Sequence, residues 1–238
     1  MELTIIIPCF NEADNISLIV KRFIRCKPKN LSAELLLINN GSSDTSEKEI
    51  ICYSKKYPDV RYFSIEKNIG YGNGIWVGLQ KATGDFLCWT HADMQTDIKE
   101  CFEAYNMMMS LDKKKTSYIK GERVDGRSKI ERLLSFGMEI VEFIILGKYL
   151  SEINAQPNLF HKSFIYKLSP PKEWEFELYV YYKARLENFR LIRIPVEWNE
   201  RIHGTSKWNY HFMAKMKYIL KIINYSVKLR YRSFFKAI

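Results

Sequence analysis

The stretch Leu3-Thr4-Ile5-Ile6-Ile7-Pro8-Cys9-Phe10-Asn11-Glu12 decides the fold class. Its first half, Leu3 to Ile7, is a nearly unbroken apolar and β-branched run, which is typical of a strand buried on both faces. Behind it, apolar residues recur at the spacing of one helix face: Ile16, Ile19, Val20 and Phe23. A buried strand followed by an amphipathic helix predicts the first βα unit of a parallel sheet.

The same alternation continues through the first half of the chain. It predicts strands at 34–38, 60–65 and 86–89, and helices that end near 57 and cover 74–82. The short connections imply right-handed βαβ units and a mostly parallel sheet flanked by helices, an α/β fold of Rossmann-like type. Ligands bind such sheets at the carboxyl ends of the strands. Polar clusters follow these ends, and we expect them to converge on one site: Asn11-Glu12, Asn39 to Asp44, Asn68, and His91-Ala92-Asp93.

The second half of the chain is less regular. Its patterns predict helices over 129–146 and 177–186, a strand over 191–196, and a short strand or loop over 154–157. No internal repeat or long linker divides the chain. We therefore expect one domain over residues 1–208, followed by a helical tail over residues 209–238.

The positive charge belongs mainly to that tail. The 238 residues carry a net charge of +10 from 37 Lys and Arg against 27 Asp and Glu, and nine of the basic residues follow Glu200, after which no acidic residue occurs. Apolar residues repeat there at helical spacing: Phe212, Met216, Ile219, Leu220, Ile223 and Val227. A basic amphipathic helix predicts binding of residues 212–238 to an anionic membrane surface. The alternatives are packing on the rest of the chain or on a second subunit in a homo-oligomer; nucleic-acid binding lacks a supporting motif.

Composition excludes several classes of protein. With 47% hydrophobic, 14% aromatic and 27% charged residues, the chain is neither disordered nor collagen-like. The five cysteines form no CxxC pair, which indicates free thiols in a reducing compartment. The beginning of the chain lacks a basic region before its apolar run, and no window holds 18 uncharged apolar residues. We therefore expect a cytoplasmic protein, peripheral at the inner face of the membrane, without a secretory signal or a spanning helix.

The polar clusters narrow the chemistry of the site. The residues after the first strand contain no G-x-G-x-x-G and the chain has no Walker-type loop, so dinucleotide and P-loop sites are excluded. Asn, Asp, Glu and His side chains suit the edges of a base and a ribose. They also suit a hard cation that takes few carboxylates and completes its shell with diphosphate oxygens.

Six segments, in order over residues 3–207, resemble motifs of family 2 of the glycosyltransferases. They are Ile5 to Glu12 (IPxYNE), Asn39 to Asp44 (DDGSxD), Asn68 to Asp85 (NxGxxxAxxxGxxxAxGD), His91 to Gln95 (DADLQ), Gly121 to Arg123 (GxR) and Trp198 to Lys207 (WxxRxxGxSK). The chain is most similar to the dolichyl-phosphate mannose synthase-like subgroup, which glycosylates lipid-linked acceptors. The resemblance implies an A-type glycosyltransferase fold and inverting transfer of a sugar from a nucleotide diphosphate sugar. It also implies use of Mg²⁺ or Mn²⁺.

The same resemblance assigns residues to roles. Nucleotide-sugar binding falls to Pro8, Phe10, Glu12, Asn39, Asn40, Asn68, His91, Ala92 and Asp93. Metal binding falls to Asp93, Gln95 and His91, and acceptor binding to Arg123, Arg132 and Gln156. The catalytic group is Asp93, Glu177, Arg201 and Lys207, of which the two cations are expected to close over phosphates.

Three positions depart from the family pattern. Asn39 and Asn40 stand where the family usually has Asp, and an amide donates as well as accepts, so base recognition differs from the family norm. His91 also replaces an Asp, which leaves Asp93 as the one strong hard-oxygen ligand. An imidazole either binds Mn²⁺ more readily than Mg²⁺ or donates a hydrogen bond to a phosphate or sugar.

The acceptor stays open between a polyprenyl phosphate and a lipid-borne glycan. A sugar hydroxyl needs a general base, for which Glu177 is the candidate, whereas a phosphate is already anionic. One rival hypothesis is therefore a surface-polysaccharide glycosyltransferase that acts on a hydroxyl. The other is a non-catalytic nucleotide-sugar-binding protein that has lost metal chemistry through Asn40 and His91.

Overall fold

The computed structural model of the protein describes residues 1–124, 129–203 and 212–235. Within them, the strands are β1 (Leu3–Cys9), β2 (Ala33–Asn40), β3 (Val60–Ile65), β4 (Phe86–Trp89), β5 (Ser117–Arg123), β6 (Asn158–His161) and β7 (Arg190–Val196). The α-helices are α1 (Ala13–Cys26), α2 (Ser46–Lys56), α3 (Tyr71–Lys81), α4 (Lys99–Met109), α5 (Lys129–Leu146), α6 (Glu175–Leu186) and α7 (Phe212–Phe234). Two short 3₁₀ turns cover Lys114–Thr116 and Lys162–Lys167.

The seven described strands form one sheet in the order β3-β2-β1-β4-β6-β5-β7. Strands β3, β2, β1 and β4 are parallel, β6 is antiparallel to both of its neighbours, and β5 and β7 are parallel. Ile5 of β1 stands opposite both Leu35 and Cys88. All seven residues of β1 are buried, as the run from Leu3 to Ile7 predicts. The expected mostly parallel sheet with flanking helices is confirmed.

Alternate residues of β1 enter two cores on opposite faces of the sheet. Ile5 and Ile7 pack with α1, α2 and α4, whereas Ile6 packs with α3, α6 and the buried side chains of α7. Phe23 of α1 is completely buried against the first face. Full burial of each such side chain contributes roughly 1.5–3 kcal/mol to the stability of the fold. Because β1 has a core on both faces, nearly every one of its side chains is buried and must be apolar.

Gly70 and Gly72 set the close approach of α3 to the segment before α6. Gly70 has φ +131°, a conformation that L side chains rarely adopt. A Cβ on Gly72 would lie 2.4 Å from the carbonyl oxygen of Glu173 and 2.6 Å from Cβ of Phe176. The backbone N–H of Asn73 donates to the carbonyl oxygen of Lys172 at 2.7 Å. The beginning of α3 is thereby held directly against residues 172–176.

Three elements of the fold were missing from the sequence expectations, α4, β5 and β6, because the short strand or loop expected over 154–157 is a loop and β6 begins only at Asn158. Strand β5 contains the completely buried Lys120, whose Nζ donates to Oδ1 of Asn158 at 2.8 Å and to the carbonyl oxygen of Ala155 at 2.9 Å. Burial lowers the pKa of Lys120 to about 7. A lysine within a short apolar run argues against a buried strand when the sequence is considered alone. The acceptors that make burial of Lys120 possible, Asn158 and Ala155, lie far away in sequence.

The tail helix α7 packs against α5 and α6 through one side and leaves the other exposed. Ile222, Ser226 and Leu229 are buried, while Leu220 and Val227 are more than half exposed. The alternative that the tail packs on the rest of the chain therefore holds for one side of the helix. No helix among the described residues is long and apolar enough to cross a membrane. The division of the chain between residues 208 and 209 stays a prediction, since 204–211 lie outside the described residues.

Candidate functional site

A cavity of about 470 Å³ opens at the carboxyl ends of β1, β2 and β4. It is lined by Pro8, Phe10, Asn11, Glu12, Asn40, Asn68, Gly70, Tyr71, His91, Ala92, Asp93, Trp174 and Arg201. The predicted convergence of polar clusters is thus observed. The volume lies within the range of small-molecule and cofactor sites.

The two asparagines at the end of β2 have different positions. Oδ1 of Asn39 accepts the backbone N–H of Ser42 at 3.1 Å, so this side chain stabilises the turn and does not line the cavity. Nδ2 of Asn40 donates to the carbonyl oxygen of Gly70 at 3.1 Å. Its Oδ1 is buried and finds no hydrogen-bond partner within the described part of the chain. Since a buried unpaired acceptor is costly, this oxygen is suited to receive an N–H or O–H from a ligand.

Asp93, which is buried, and Arg201, which is half-buried, form an ion pair at the cavity. Nη2 of Arg201 lies 3.0 Å from Oδ2 of Asp93, and Nε donates to Oε1 of Gln95 at 3.1 Å. Oδ1 of Asp93 accepts the backbone N–H of Gln95 at 3.2 Å. Nε2 of Gln95 donates to the carbonyl oxygen of Asn199 at 3.1 Å. Gln95 therefore ties the segment that carries Arg201 to the turn that carries Asp93.

Glu12 adds a second carboxyl to the cavity. Oε2 of Glu12 accepts Nδ2 of Asn15 at 2.6 Å. Burial raises the pKa of Glu12, the hydrogen bond from Asn15 opposes this rise, and the negative charge of Asp93 adds to it. The cavity wall thus carries two carboxyl groups and one guanidinium, so this edge of the sheet can bind further positive charge.

The possible metal ligands in the cavity suit a divalent cation that is held by few protein groups. Within the residues that the structure describes, no group of three or more His, Cys, Asp or Glu side chains is placed to hold a metal ion. Asp93 offers a carboxylate beside the His91 imidazole, whereas both amide atoms of Gln95 are already hydrogen-bonded. A cation that takes most of its oxygen ligands from a diphosphate fits this set.

Tyr71 and Trp174 line the cavity although the sequence analysis did not select them. The Tyr71 ring is stacked between His91, at 5.2 Å between centroids, and Trp174, at 4.5 Å. Tyr71 directly follows Gly70, a glycine of a recognised motif, so the motif already pointed to this segment. Trp174 belongs to none of the six motifs, so its place in the cavity wall could be learned only from the structure.

Glu177 and Gln156 do not reach the cavity. Glu177 is 2% exposed, and its Oε1 accepts from Nε1 of Trp89 at 2.9 Å, Nε2 of Gln156 at 2.6 Å and the Tyr71 hydroxyl at 3.1 Å. Its Oε2 accepts Nδ2 of Asn158 at 3.3 Å. Gln156 is completely buried. The expectation that these two residues face the substrates is corrected: they are buried and hydrogen-bonded to each other.

Of the remaining predicted cations, Arg123 lines a second cavity, of about 200 Å³, between α5 and α7. It is lined by Arg123, Leu134, Ser135, Met138, Glu139, Glu152, Ile153, Asn154, Trp174, Leu178, Ile219 and Ile222. Nε of Arg123 pairs with Oε2 of Glu152 at 2.6 Å. Arg132 is exposed and donates to the carbonyl oxygen of Val124 at 2.9 Å. Lys207 lies outside the described residues.

The family model described as "Glycosyl transferase family 2" matches residues 4–138, more than half of the chain. The chain belongs to glycosyltransferase family 2. The resemblance inferred from the six motifs is thereby confirmed, and so is the expected enzyme class, a glycosyltransferase.

Relatives and solved structures agree with this assignment. The chain is 23% identical to "Dolichyl-phosphate beta-glucosyltransferase" of Dictyostelium discoideum, over 83% of this chain and 66% of that protein. It is 26% identical to "Undecaprenyl-phosphate 4-deoxy-4-formamido-L-arabinose transferase" of Edwardsiella ictaluri, over 99% and 72%. The chain thus spans about two thirds of the length of the first of these relatives.

The fold is shared with glucosyl-3-phosphoglycerate synthase from Mycobacterium tuberculosis, solved with Mn²⁺, uridine diphosphate and glucosyl-3-phosphoglycerate. The TM-score is 0.71 at 14% identity, and the match covers 96% of this chain and 79% of that one. This likeness shows the fold, and the expected A-type glycosyltransferase architecture is confirmed.

Proposed function

We propose that this glycosyltransferase transfers a sugar, with inversion, from a nucleotide diphosphate sugar to a lipid-linked phosphate at the cytoplasmic face of a membrane. One observation carries the proposal: Trp174 lines both the polar cavity of Asp93 and Arg201 and the largely apolar cavity between α5 and α7. A charged donor and a lipid acceptor would meet there. Two relatives whose names contain dolichyl phosphate and undecaprenyl phosphate support the acceptor class.

The polar cavity provides contacts for each part of the donor. The unpaired Oδ1 of Asn40 accepts a hydrogen from the base or ribose, at the end of the cavity formed by β1 and β2. Arg201 exchanges its contact with Asp93 for the diphosphate, where charge-assisted hydrogen bonds stabilise the departing nucleotide. Asp93 would hold a divalent cation, which would supply further neutralisation of the leaving group's charge.

The buried position of Glu177 favours a phosphate acceptor. Four donors already occupy this carboxyl, so it lacks the open approach that a general base needs for a sugar hydroxyl. A phosphate oxygen is anionic and attacks without a base. Attack on the face opposite the diphosphate inverts the configuration at the transferred carbon.

An apolar surface beside the second cavity supports docking to a bilayer. On α5, exposed apolar residues recur at helical spacing: Leu133, Phe136, Ile140, Phe143 and Ile144. The adjacent α7 exposes Leu220, Val227, Tyr231 and Phe234. Lys217, Lys228 and Arg232 are exposed on α7, whereas Lys221 pairs with Glu173 and Glu175 of the domain. Apolar side chains flanked by exposed cations are typical of a helix that lies on anionic lipid.

A labelled-donor assay tests this function. The chain is incubated with a panel of radiolabelled nucleotide diphosphate sugars, Mn²⁺ or Mg²⁺, and vesicles that contain polyprenyl phosphate. We expect label in the lipid fraction, released by mild acid as for a phosphate-linked sugar, with Asp112→Asn active and Asp93→Asn inactive. Asp112 is an exposed carboxylate away from the cavity.

Other outcomes separate the rival hypotheses. An acid-stable lipid product indicates transfer to a hydroxyl and refutes the phosphate acceptor. Nucleotide binding without turnover on any donor indicates a non-catalytic binding protein and refutes the proposed activity.

A further inference from the structure

Tyr71 is the central ring of a three-ring column at the wall of the donor cavity. The planes of His91 and Trp174 deviate from that of Tyr71 by 15° and 16°, so the three rings are stacked nearly parallel. All three line the cavity. Stacked aromatic pairs at such distances contribute roughly 0.5–1.5 kcal/mol beyond their buried area, so the column holds each ring's orientation.

The buried carboxyl of Glu177 anchors this column from the protein interior. Its Oε1 accepts the Tyr71 hydroxyl at 3.1 Å and Nε1 of Trp89 at 2.9 Å. Trp89 is the last residue of β4, two positions before His91. One carboxyl oxygen thus fixes both the central ring and the strand end that presents His91.

The backbone around the column leaves little room for adjustment. Gly70 and Gly72 flank Tyr71, and Cβ atoms there would lie 2.3 Å from the carbonyl oxygen of Lys172 and 2.4 Å from that of Glu173. This contact places the residue that follows, Trp174, on the face of Tyr71. The orientation of Trp174 therefore depends on the position of the Tyr71 ring as well as on the backbone of residues 172–174.

We propose that Tyr71 positions His91 and Trp174 for the nucleotide sugar, and that Glu177 acts through Tyr71 as a positioning residue. This inference rests on the function proposed above, because the column acts on a donor bound in the cavity. It gives the buried acidic residue a role that differs from general-base catalysis. Substitution of Tyr71 or Glu177 should therefore lower the affinity for the donor more than it lowers the turnover rate.

Calorimetric binding of UDP and GDP in the presence of Mn²⁺ tests the proposal with the full chain. Tyr71→Phe keeps the stack and removes one hydrogen bond to a charged group, so we expect the Kd of the bound nucleotide to rise about fivefold. Tyr71→Leu also removes the stack, and we expect a rise of about 30-fold. The control is Tyr57→Leu, which removes a ring stacked on Tyr53 outside the cavity, and should leave Kd unchanged.

A double-mutant cycle then tests the connection to Glu177. Because Glu177 is proposed to act through Tyr71, the variant Tyr71→Phe/Glu177→Gln should show a Kd change well below the product of the two single changes. With a labelled donor, Glu177→Gln should raise the donor KM and leave kcat within about threefold, whereas loss of a general base lowers kcat by about 10²–10⁴-fold.

The outcomes separate this inference from the proposed function. The positioning role alone is overturned under the following result. The unchanged chain binds nucleotide, and Tyr71→Phe and Tyr71→Leu bind it with the same Kd as the unchanged chain and differ only by a lower Tm. Strictly multiplicative effects of the two single substitutions overturn the role of Glu177. Absence of any nucleotide binding by the unchanged chain overturns both proposals.

Discussion

We predict that Glu142 makes the stability of the chain sensitive to pH through the contact between α5 and α7. The residue is completely buried on α5, opposite Ser226 of α7, which is also completely buried. Burial raises the pKa of Glu142 from 4.5 to about 7, and the nearby hydroxyl of Ser226 opposes the rise. Neither carboxyl oxygen of Glu142 has a hydrogen-bond partner within the described residues, since the Ser226 hydroxyl donates to the carbonyl oxygen of Ile222 at 3.0 Å. The perturbation that isolates this carboxyl is Glu142→Gln, which keeps its size and removes its ionisation.

The sign and size of the effect follow from the two pKa values. The unfolded chain releases this proton near pH 4.5, whereas the folded chain keeps it until about pH 7. Unfolding is therefore favoured progressively as pH rises through this window. At about 1.4 kcal/mol per unit of pKa difference, the loss of folding free energy from this group approaches about 3 kcal/mol and is complete above about pH 8.

Urea unfolding at pH 5, 6, 7 and 8 measures this contribution. Relative to the unchanged chain, Glu142→Gln should be similar in stability at pH 5 and more stable by up to about 3 kcal/mol at pH 8. Glu103→Gln, on the exposed side of α4, is the matched control and should keep the profile of the unchanged chain. A difference between Glu142→Gln and the unchanged chain that stays constant from pH 5 to pH 8 refutes the reasoning.

Three further predictions concern the site, the fold and the membrane surface. Asp93→Asn removes the carboxylate that pairs with the guanidinium at the cavity, so transfer of labelled sugar should fall at least about 10³-fold; retained transfer contradicts the site. Gly72→Ala places a Cβ 2.4 Å from a backbone carbonyl oxygen and should cost about 2–3 kcal/mol in urea unfolding, whereas Gly137→Ala, with open space around it, should not destabilise. Reversing the charges of Lys217 and Lys228 should lower flotation with anionic vesicles at least tenfold, and unchanged flotation contradicts membrane docking.

The first four strands could be predicted because their signals are local. Each is a short apolar run closed by polar turn residues, and the helices between them repeat apolar residues at a fixed spacing. Strand β1 shows the clearest case, since it is buried on both faces and must be apolar at nearly every position. The convergence of Glu12, Asn40 and Asp93 followed from the same logic, because parallel strands end at one edge of the sheet.

The unpredicted parts depend on partners far apart in sequence. Lys120 is buried in β5 since Asn158 and the carbonyl oxygen of Ala155 accept its hydrogens, and no local pattern announces them. Glu177 was selected as a candidate general base, and its burial was not foreseen because its donors, among them Trp89 and Tyr71, come from other elements. Such networks satisfy buried polar groups through tertiary structure, so the residue types alone point to the surface.

The two interpretations of the tail, packing on the domain and membrane docking, concern different sides of one helix. The sequence pattern predicts one broad apolar face on α7. It cannot tell which of these residues pack on the domain and which remain exposed. The structure divides it: Ile222 and Leu229 pack into the domain, while Leu220 and Val227 remain exposed beside the apolar residues of α5. Packing against the domain fixes the direction in which the exposed side of the helix points. For the membrane docking proposed above, a helix anchored in this way would present its apolar surface without first losing the entropy of ordering a free segment.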